Sequence, residues 1–124
     1  MNKTFLTFGA IFGLMGVAFG AFGAHALKDV LIENGNLATY ETAVKYQFYH
    51  ALALLLTGIL TKEISNKWIM YAGLSFIVGT IIFSGSLYLI CLTGIKMFGA
   101  VAPIGGITMI LGWAFFLISF RSRG

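Results

Sequence analysis

The chain has 124 residues, of which 59% are hydrophobic and 10% charged, and its formal net charge is +4. An ordinary soluble domain carries roughly 25% charged residues, so this composition excludes a water-facing globular surface and makes the bilayer the solvent. The basic residues are scattered between apolar runs, which fits membrane flanks better than a nucleic-acid face, and no nucleic-acid partner is expected.

Residues 4–27, 46–61, 68–95 and 97–120 contain no Lys, Arg, Asp or Glu. A helix needs about 20 residues to cross a hydrocarbon core ~30 Å thick. Three runs meet that length. The second must recruit Ala43 and Val44 past Lys45, whose stem can reach back to the interface. None of the runs alternates apolar and polar positions as barrel strands do, and only helices then satisfy the backbone. The expectation is an all-α polytopic membrane protein: one transmembrane domain over residues 1–124, a four-transmembrane-helix bundle with spans at about 4–25, 43–61, 68–91 and 97–120.

The first span has a charged start at Lys3 and the small-residue sequence Ala24-His25-Ala26, as a signal peptide would. Its apolar stretch exceeds a usual signal core, so it is read as an uncleaved helix. Gly9, Gly13, Gly16, Gly20 and Gly23 recur every four and three residues along it, beside a stripe of Phe8, Phe12, Met15, Phe19 and Phe22. Glycine weakens a helix, so a whole stripe wants a packing reason; in lipid, small residues let backbones approach closely. The spacing resembles a heptad seam and fits a near-parallel, left-handed contact. It serves equally for packing within the chain and for a homo-oligomer seam.

The loop after it is the long one. Leu27, Val30 and Leu31 oppose Lys28, Asp29 and Glu33, which predicts a short interfacial helix. Asn34-Gly35-Asn36 breaks it, Asn36 or Thr39 can cap the second span, and Glu41 and Lys45 form a favourable i, i+4 pair. The second span opens with Tyr46, Gln47, Tyr49 and His50; the third carries Thr80, Ser84, Ser86 and Tyr88, the last placed near the outer interface. The lone Cys91 cannot form an intrachain disulfide and is read as an inert buried thiol. The fourth span has a small-residue patch at Gly99, Ala102, Pro103, Gly105, Gly106 and Gly112, with a kink expected at Pro103.

Polar residues inside a span are candidate functional groups. At 1.5 Å per residue His50 stands roughly 16 Å above Thr61, Thr80 about 18 Å above Trp68, and Pro103 about 9 Å below Met97. The candidate polar site is therefore His50 with Tyr46, Gln47, Tyr49, Thr80, Ser84 and Pro103, with His25 added at the outer surface. The plainer reading of His50 is a neutral ring that hydrogen-bonds two helices together. His25 lies ~15 Å from His50 along the membrane normal, too far for both to ligate one haem iron. No cofactor or metal is expected, and no catalytic constellation is present: no intramembrane acid, no His-Glu-x-x-His and no Gly-x-Ser-x-Gly.

Four spans put both termini on one side. That side carries Lys3, Lys62, Lys67, Arg121 and Arg123, against Lys28, Lys45 and Lys96 on the other, which favours termini in the cytoplasm. Gly20-Ala21-Phe22-Gly23-Ala24-His25-Ala26-Leu27, Tyr40-Glu41-Thr42-Ala43, Tyr49-His50-Ala51-Leu52, Phe83-Ser84-Gly85-Ser86 and Pro103-Ile104-Gly105-Gly106 resemble, in order, the domain-of-unknown-function family 423, or uncharacterised protein family 0382. The resemblance runs from the first span to the fourth. It implies a small four-helix protein of the bacterial cytoplasmic membrane and carries no activity, ligand or catalytic residue. The expected function is non-enzymatic association with itself, a partner membrane protein or lipid. A small transporter or ligand-binding bundle around His50 is the alternative, and a membrane enzyme or redox protein the remote one.

Overall fold

The computed structural model describes residues 1–121, so Arg123, counted above for topology, lies outside the described residues. Five helices follow one another: α1 (Lys3–Ala24), α2 (Lys28–Glu33), α3 (Leu37–Leu60), α4 (Lys67–Thr93) and α5 (Phe98–Arg121). All but α2 are long and apolar enough to cross a membrane. The chain is an all-α, four-span membrane protein, with α2 as the short helix between the first two spans.

Local chemistry sets the helix ends. The Asn2 side chain accepts from the Phe5 amide at 3.0 Å, while the Asn2 amide donates to Gly58 O at 3.1 Å and Thr61 Oγ1 at 2.8 Å. One residue thus caps α1 and ties it to the end of α3. Asn66 does the same for α4. Its carbonyl oxygen accepts from the Trp68 and Ile69 amides, each at 3.1 Å, and its Nδ2 donates to Ser119 O of α5 at 3.0 Å. Gly35 and Gly94 take left-handed φ values of 71° and 72° where α2 and α4 end, a conformation glycine adopts without cost.

Three spans begin and end within two residues of the positions read from the charge pattern. The second does not: α3 starts at Leu37, not near 43, and at 24 residues matches α5 in length. Glu41 and Lys45 lie on its exposed side, so charge there does not oppose the helix, and the uncharged run understated it. Asn36 is its N-cap position, without a side-chain capping bond. In α2 only Leu31 is buried; Val30 and Ile32 stay exposed, leaving apolar surface for an interface.

The spans form a row in the order α1, α3, α4, α5, each lying chiefly against the next. The core lies where α1, α3 and α4 meet, around Phe5, Phe12, Leu54, Ala72, Phe76 and Ile77. α3 is the central helix. Of its most apolar window 44% is buried, against 22% for α1 and α5, and its mean hydropathy there is 1.2 against their 2.0. A helix facing protein on both sides can carry polar groups that a lipid-facing helix cannot.

The α1 glycines divide. Gly9, Gly16 and Gly23, one heptad apart, are buried against α3 at Ala51 and Leu55, at Phe48, and at Tyr40. Gly20 is looser, with a Cβ there 3.4 Å from Val44, and Gly13 has nothing within 4 Å. The stripe is thus mainly an intrachain seam, with Gly13 on its open edge. A Cβ at Gly9 would meet the backbone carbonyl of Ala51 at 2.9 Å, which only helix displacement relieves. Gly9→Ala is expected to lower stability by about 1–3 kcal/mol, while Gly13→Ala leaves it unchanged or raises it by up to about 1 kcal/mol through helix propensity. Thermal unfolding of both variants in one detergent measures the contrast; equal midpoints would place the seam elsewhere.

Candidate functional site

His50 sits on the α3 face turned toward α4 and α5, and only 4% of its surface is exposed. Its Nδ1 lies 2.7 Å from Tyr46 O, and Trp113 of α5 donates its indole N–H to Nε2 at 3.1 Å. A carbonyl cannot donate and an indole N–H cannot accept. The ring is therefore neutral and carries its proton on Nδ1, with both nitrogens engaged. Phe76 and Trp113 close around it, with ring centroids 5.5 Å and 5.9 Å from the imidazole, and Tyr46 stacks at 6.4 Å. His50 joins α3 to α5 inside an aromatic box.

Gln47, three residues earlier, points elsewhere. It is 4% exposed. Its Nε2 donates to Phe12 O of α1 at 2.9 Å, and its Oε1 accepts from Tyr88 Oη of α4 at 2.6 Å. One amide thus bonds three helices. Tyr88 also packs edge-on against Phe19 and Tyr40, with centroids 5.0 Å and 5.6 Å away. Its hydroxyl is turned inward to Gln47, correcting the expectation that this ring serves the outer interface. Tyr40 Oη in turn donates to Phe19 O at 2.5 Å.

Of the remaining candidates, Thr80 and Ser84 line one groove with Gln47, and the others lie apart. Ser84 Oγ donates to Ala43 O at 2.8 Å, pinning α4 to α3. Thr80 is buried, with Oγ1 4.0 Å from Met109 Sδ and not directed at His50. Pro103 is exposed on α5. Gly105 lies against Phe83 and Gly112 against Phe76, so in this antiparallel pair the Trp113–His50 level is more than two turns from Pro103. The estimate that put Pro103 within about a turn of His50 measured His50 up from Thr61 and Pro103 down from Met97. Helix ends taken as membrane boundaries do not fix the register between α3 and α5. Tyr49 is 55% exposed and Tyr46 40%, so only the flank of Tyr46 reaches the His50 box. His25, the C-cap of α1, is exposed beside a shallow depression lined by Ala18, Ala21, Phe22 and Ala26. Cys91 is half-buried, its thiol donating to Asn36 O at 3.7 Å.

The predicted polar site is therefore two separate knots, His50–Trp113 and Phe12–Gln47–Tyr88. Sequence reading missed Trp113. Its signal was depth: a tryptophan far from either end of an apolar run is outside the interfacial belts, and its N–H needs an acceptor within the protein. Every buried side-chain nitrogen and oxygen among the described residues has a hydrogen-bond partner, and no cluster of three or more His, Cys, Asp or Glu able to hold a metal occurs among them. A groove of about 160 Å³ runs past Phe12, Gln47, Thr80, Ser84 and Tyr88. A larger one of about 370 Å³ lies between α1 and α3 near α2.

The comparisons agree with this architecture. The family described as protein of unknown function (DUF423) matches residues 19–106. A UPF0382 membrane protein of Staphylococcus aureus is 43% identical, over 98% of this chain and 99% of its own. The UPF0382 membrane protein YwdK of Bacillus subtilis is 36% identical over 94% of this chain and 95% of its own. The UPF0382 inner membrane protein YgdD of Escherichia coli is 34% identical over 94% and 88%. No solved structure matches the chain. With a family match over most of its length and relatives aligned from end to end, this chain belongs to the DUF423, or UPF0382, family of membrane proteins.

Proposed function

We propose that this chain is a non-enzymatic protein of the bacterial cytoplasmic membrane that works by association in the bilayer, with itself, a partner membrane protein or lipid. One observation carries the reading. The buried polar groups, the usual seat of intramembrane chemistry, are engaged in holding the chain's own helices together: Gln47 with Phe12 and Tyr88, Ser84 with Ala43, Trp113 with His50. What remains to meet the surroundings is apolar helix surface, such as Leu14 and Val17 on α1 and Ile107 and Ile110 on α5. A solute path through His50 has little support, since both ring nitrogens are taken. The inner-membrane name of the Escherichia coli relative and the excess of Lys and Arg on the terminal side support this location, with both termini in the cytoplasm.

The test is photo-crosslinking in living cells, with a reactive side chain placed in turn at Leu14, Val17, Ile107 and Ile110. Discrete adducts to protein or lipid from one helix face, absent from the opposite face, are expected. Identical adduct patterns from all four positions would overturn the reading.

A further inference from the structure

The groove of about 370 Å³ between α1 and α3 has a composition unlike the rest of the membrane-facing surface. Gly20, Gly23 and Ala24 of α1 and Leu37, Tyr40 and Val44 of α3 line it. Lys28, Glu41 and Lys45 reach its rim. Its α1 wall carries almost no side chains, and Tyr40 and Val44 of α3 come close to the helix backbone there. A Cβ at Gly23 would collide with the Tyr40 ring, and one at Gly20 would come within 3.4 Å of Val44. Gly13 lies one heptad from Gly20 on the same helix edge, roughly 10 Å further into the bilayer, and has nothing within 4 Å. Between the two, Gly16 is packed under Phe48 and Val17 presents its side chain, so the groove itself ends at Gly20.

The charges frame the mouth of the groove. Lys28 opens the interfacial helix α2, and Lys45 lies on α3 about 12 Å below Leu37 by helical rise. Its long stem allows the ammonium to rise to headgroup level. Two ammonium groups and one carboxylate leave the rim one positive charge in excess, which a single phosphodiester balances. Charge-assisted bonds from lysine to phosphate are the strong kind.

We infer that this groove is a phospholipid site: Lys28 and Lys45 hold the headgroup phosphate of an anionic glycerophospholipid, and one acyl chain lies in the groove against Gly20 and Val44. The site rests on the association reading and names a lipid as one associate. The lysines supply selectivity for phosphate, and the glycines supply the space for the chain. A packing seam alone would explain the glycines but not the excess positive charge at the groove's mouth, since Glu41 can balance only one of the two lysines.

The experiment is native mass spectrometry of the full chain released from detergent after incubation with phosphatidylglycerol, or with a diacylglycerol bearing the same acyl chains. Wild type is expected to retain one phosphatidylglycerol and little diacylglycerol. Replacing both lysines, Lys28→Gln with Lys45→Gln, should lower that occupancy roughly tenfold, the effect of losing about one charged hydrogen bond. Gly20→Leu fills the groove, leaves the charges in place and should lower it similarly. Lys62→Gln with Lys67→Gln, at the other end of the bundle, should change nothing. Equal retention of the two lipids would overturn the site, as would full retention by the Lys28/Lys45 variant or an equal loss in the Lys62/Lys67 control. If only one of the two site variants folds, that variant decides. The crosslinking pattern at α5 does not depend on this groove, so failure of the site leaves the association reading separately testable.

Discussion

Gly105→Ala is expected to destabilise the bundle by about 3 kcal/mol, roughly a hundredfold in the folded population, while Gly106→Ala changes it by less than about 0.5 kcal/mol. The two residues are neighbours on one helix, and only their rotation about its axis differs. A Cβ on Gly105 would overlap the Phe83 backbone nitrogen and stand 2.8 Å from its Cα. Backbone cannot change rotamer, so α4 and α5 must separate. Separation also loosens Gly79 against Met109 and Gly112 against Phe76, where a Cβ would approach to 2.6 Å and 2.7 Å. Ala102, Gly105, Met109, Gly112 and Ser119 make one buried line on α5, so the loss extends along the helix pair. A Cβ on Gly106 meets only the Phe83 ring at 3.7 Å, ordinary contact. Unfolding of both variants in the same detergent measures the difference, and equal stabilities would refute the close α4–α5 approach.

The second large effect is expected at Gln47. Gln47→Leu keeps the volume but strands the Tyr88 hydroxyl among Phe19 and Tyr40 and removes a donor from the Phe12 carbonyl. Leaving a buried polar group without a partner costs roughly 1–3 kcal/mol, and about 2 kcal/mol is expected here because two helices lose their bond to α3 at once. Tyr88→Phe alone should cost about 1 kcal/mol, near the upper range for single interhelical bonds in membranes. The pair should not add. Once Gln47 is leucine, Tyr88→Phe is expected to be neutral or to recover stability, giving a coupling of about 1 kcal/mol in a double-mutant cycle. Strict additivity would mean that Tyr88 and Gln47 do not meet.

Both expectations concern residues whose importance was only partly legible in the sequence. The small-residue patch on the fourth span was visible, but it held Gly105 and Gly106 alike. Choosing between them requires the azimuth of α5 relative to Phe83, and a turn of one residue, about 100°, exchanges their roles. Gln47 stands out as a polar group in an apolar helix, and its polarity and depth group it with His50, three residues further on. Three residues is neighbouring on a helix surface, yet on a central helix with partners on both sides it suffices to send one side chain to α1 and α4 and the other to α5.

What the sequence by itself determined is what depends on the membrane alone. Three uncharged runs long enough to cross the hydrocarbon core and a fourth extended past Lys45 yield four spans, all helical, because lipid offers no partner to an open backbone. The short α2 and its break at Asn34-Gly35-Asn36 are also local matters, set by residues within a turn of one another. What only the tertiary structure decided is the company each face keeps. A glycine edge presents the same spacing to a neighbouring helix, a second copy or an acyl chain, so that Gly9, Gly16 and Gly23 pack on α3 while Gly13 stays open could not be read from their period. The start of α3 at Leu37 likewise waited on the fold, since charge at Glu41 and Lys45 is harmless only once those residues face outward. The polar groups first read as one site around His50 proved to be two knots, because hydrogen-bond partners are chosen by helix rotation and depth, and neither is encoded in a helix's own sequence.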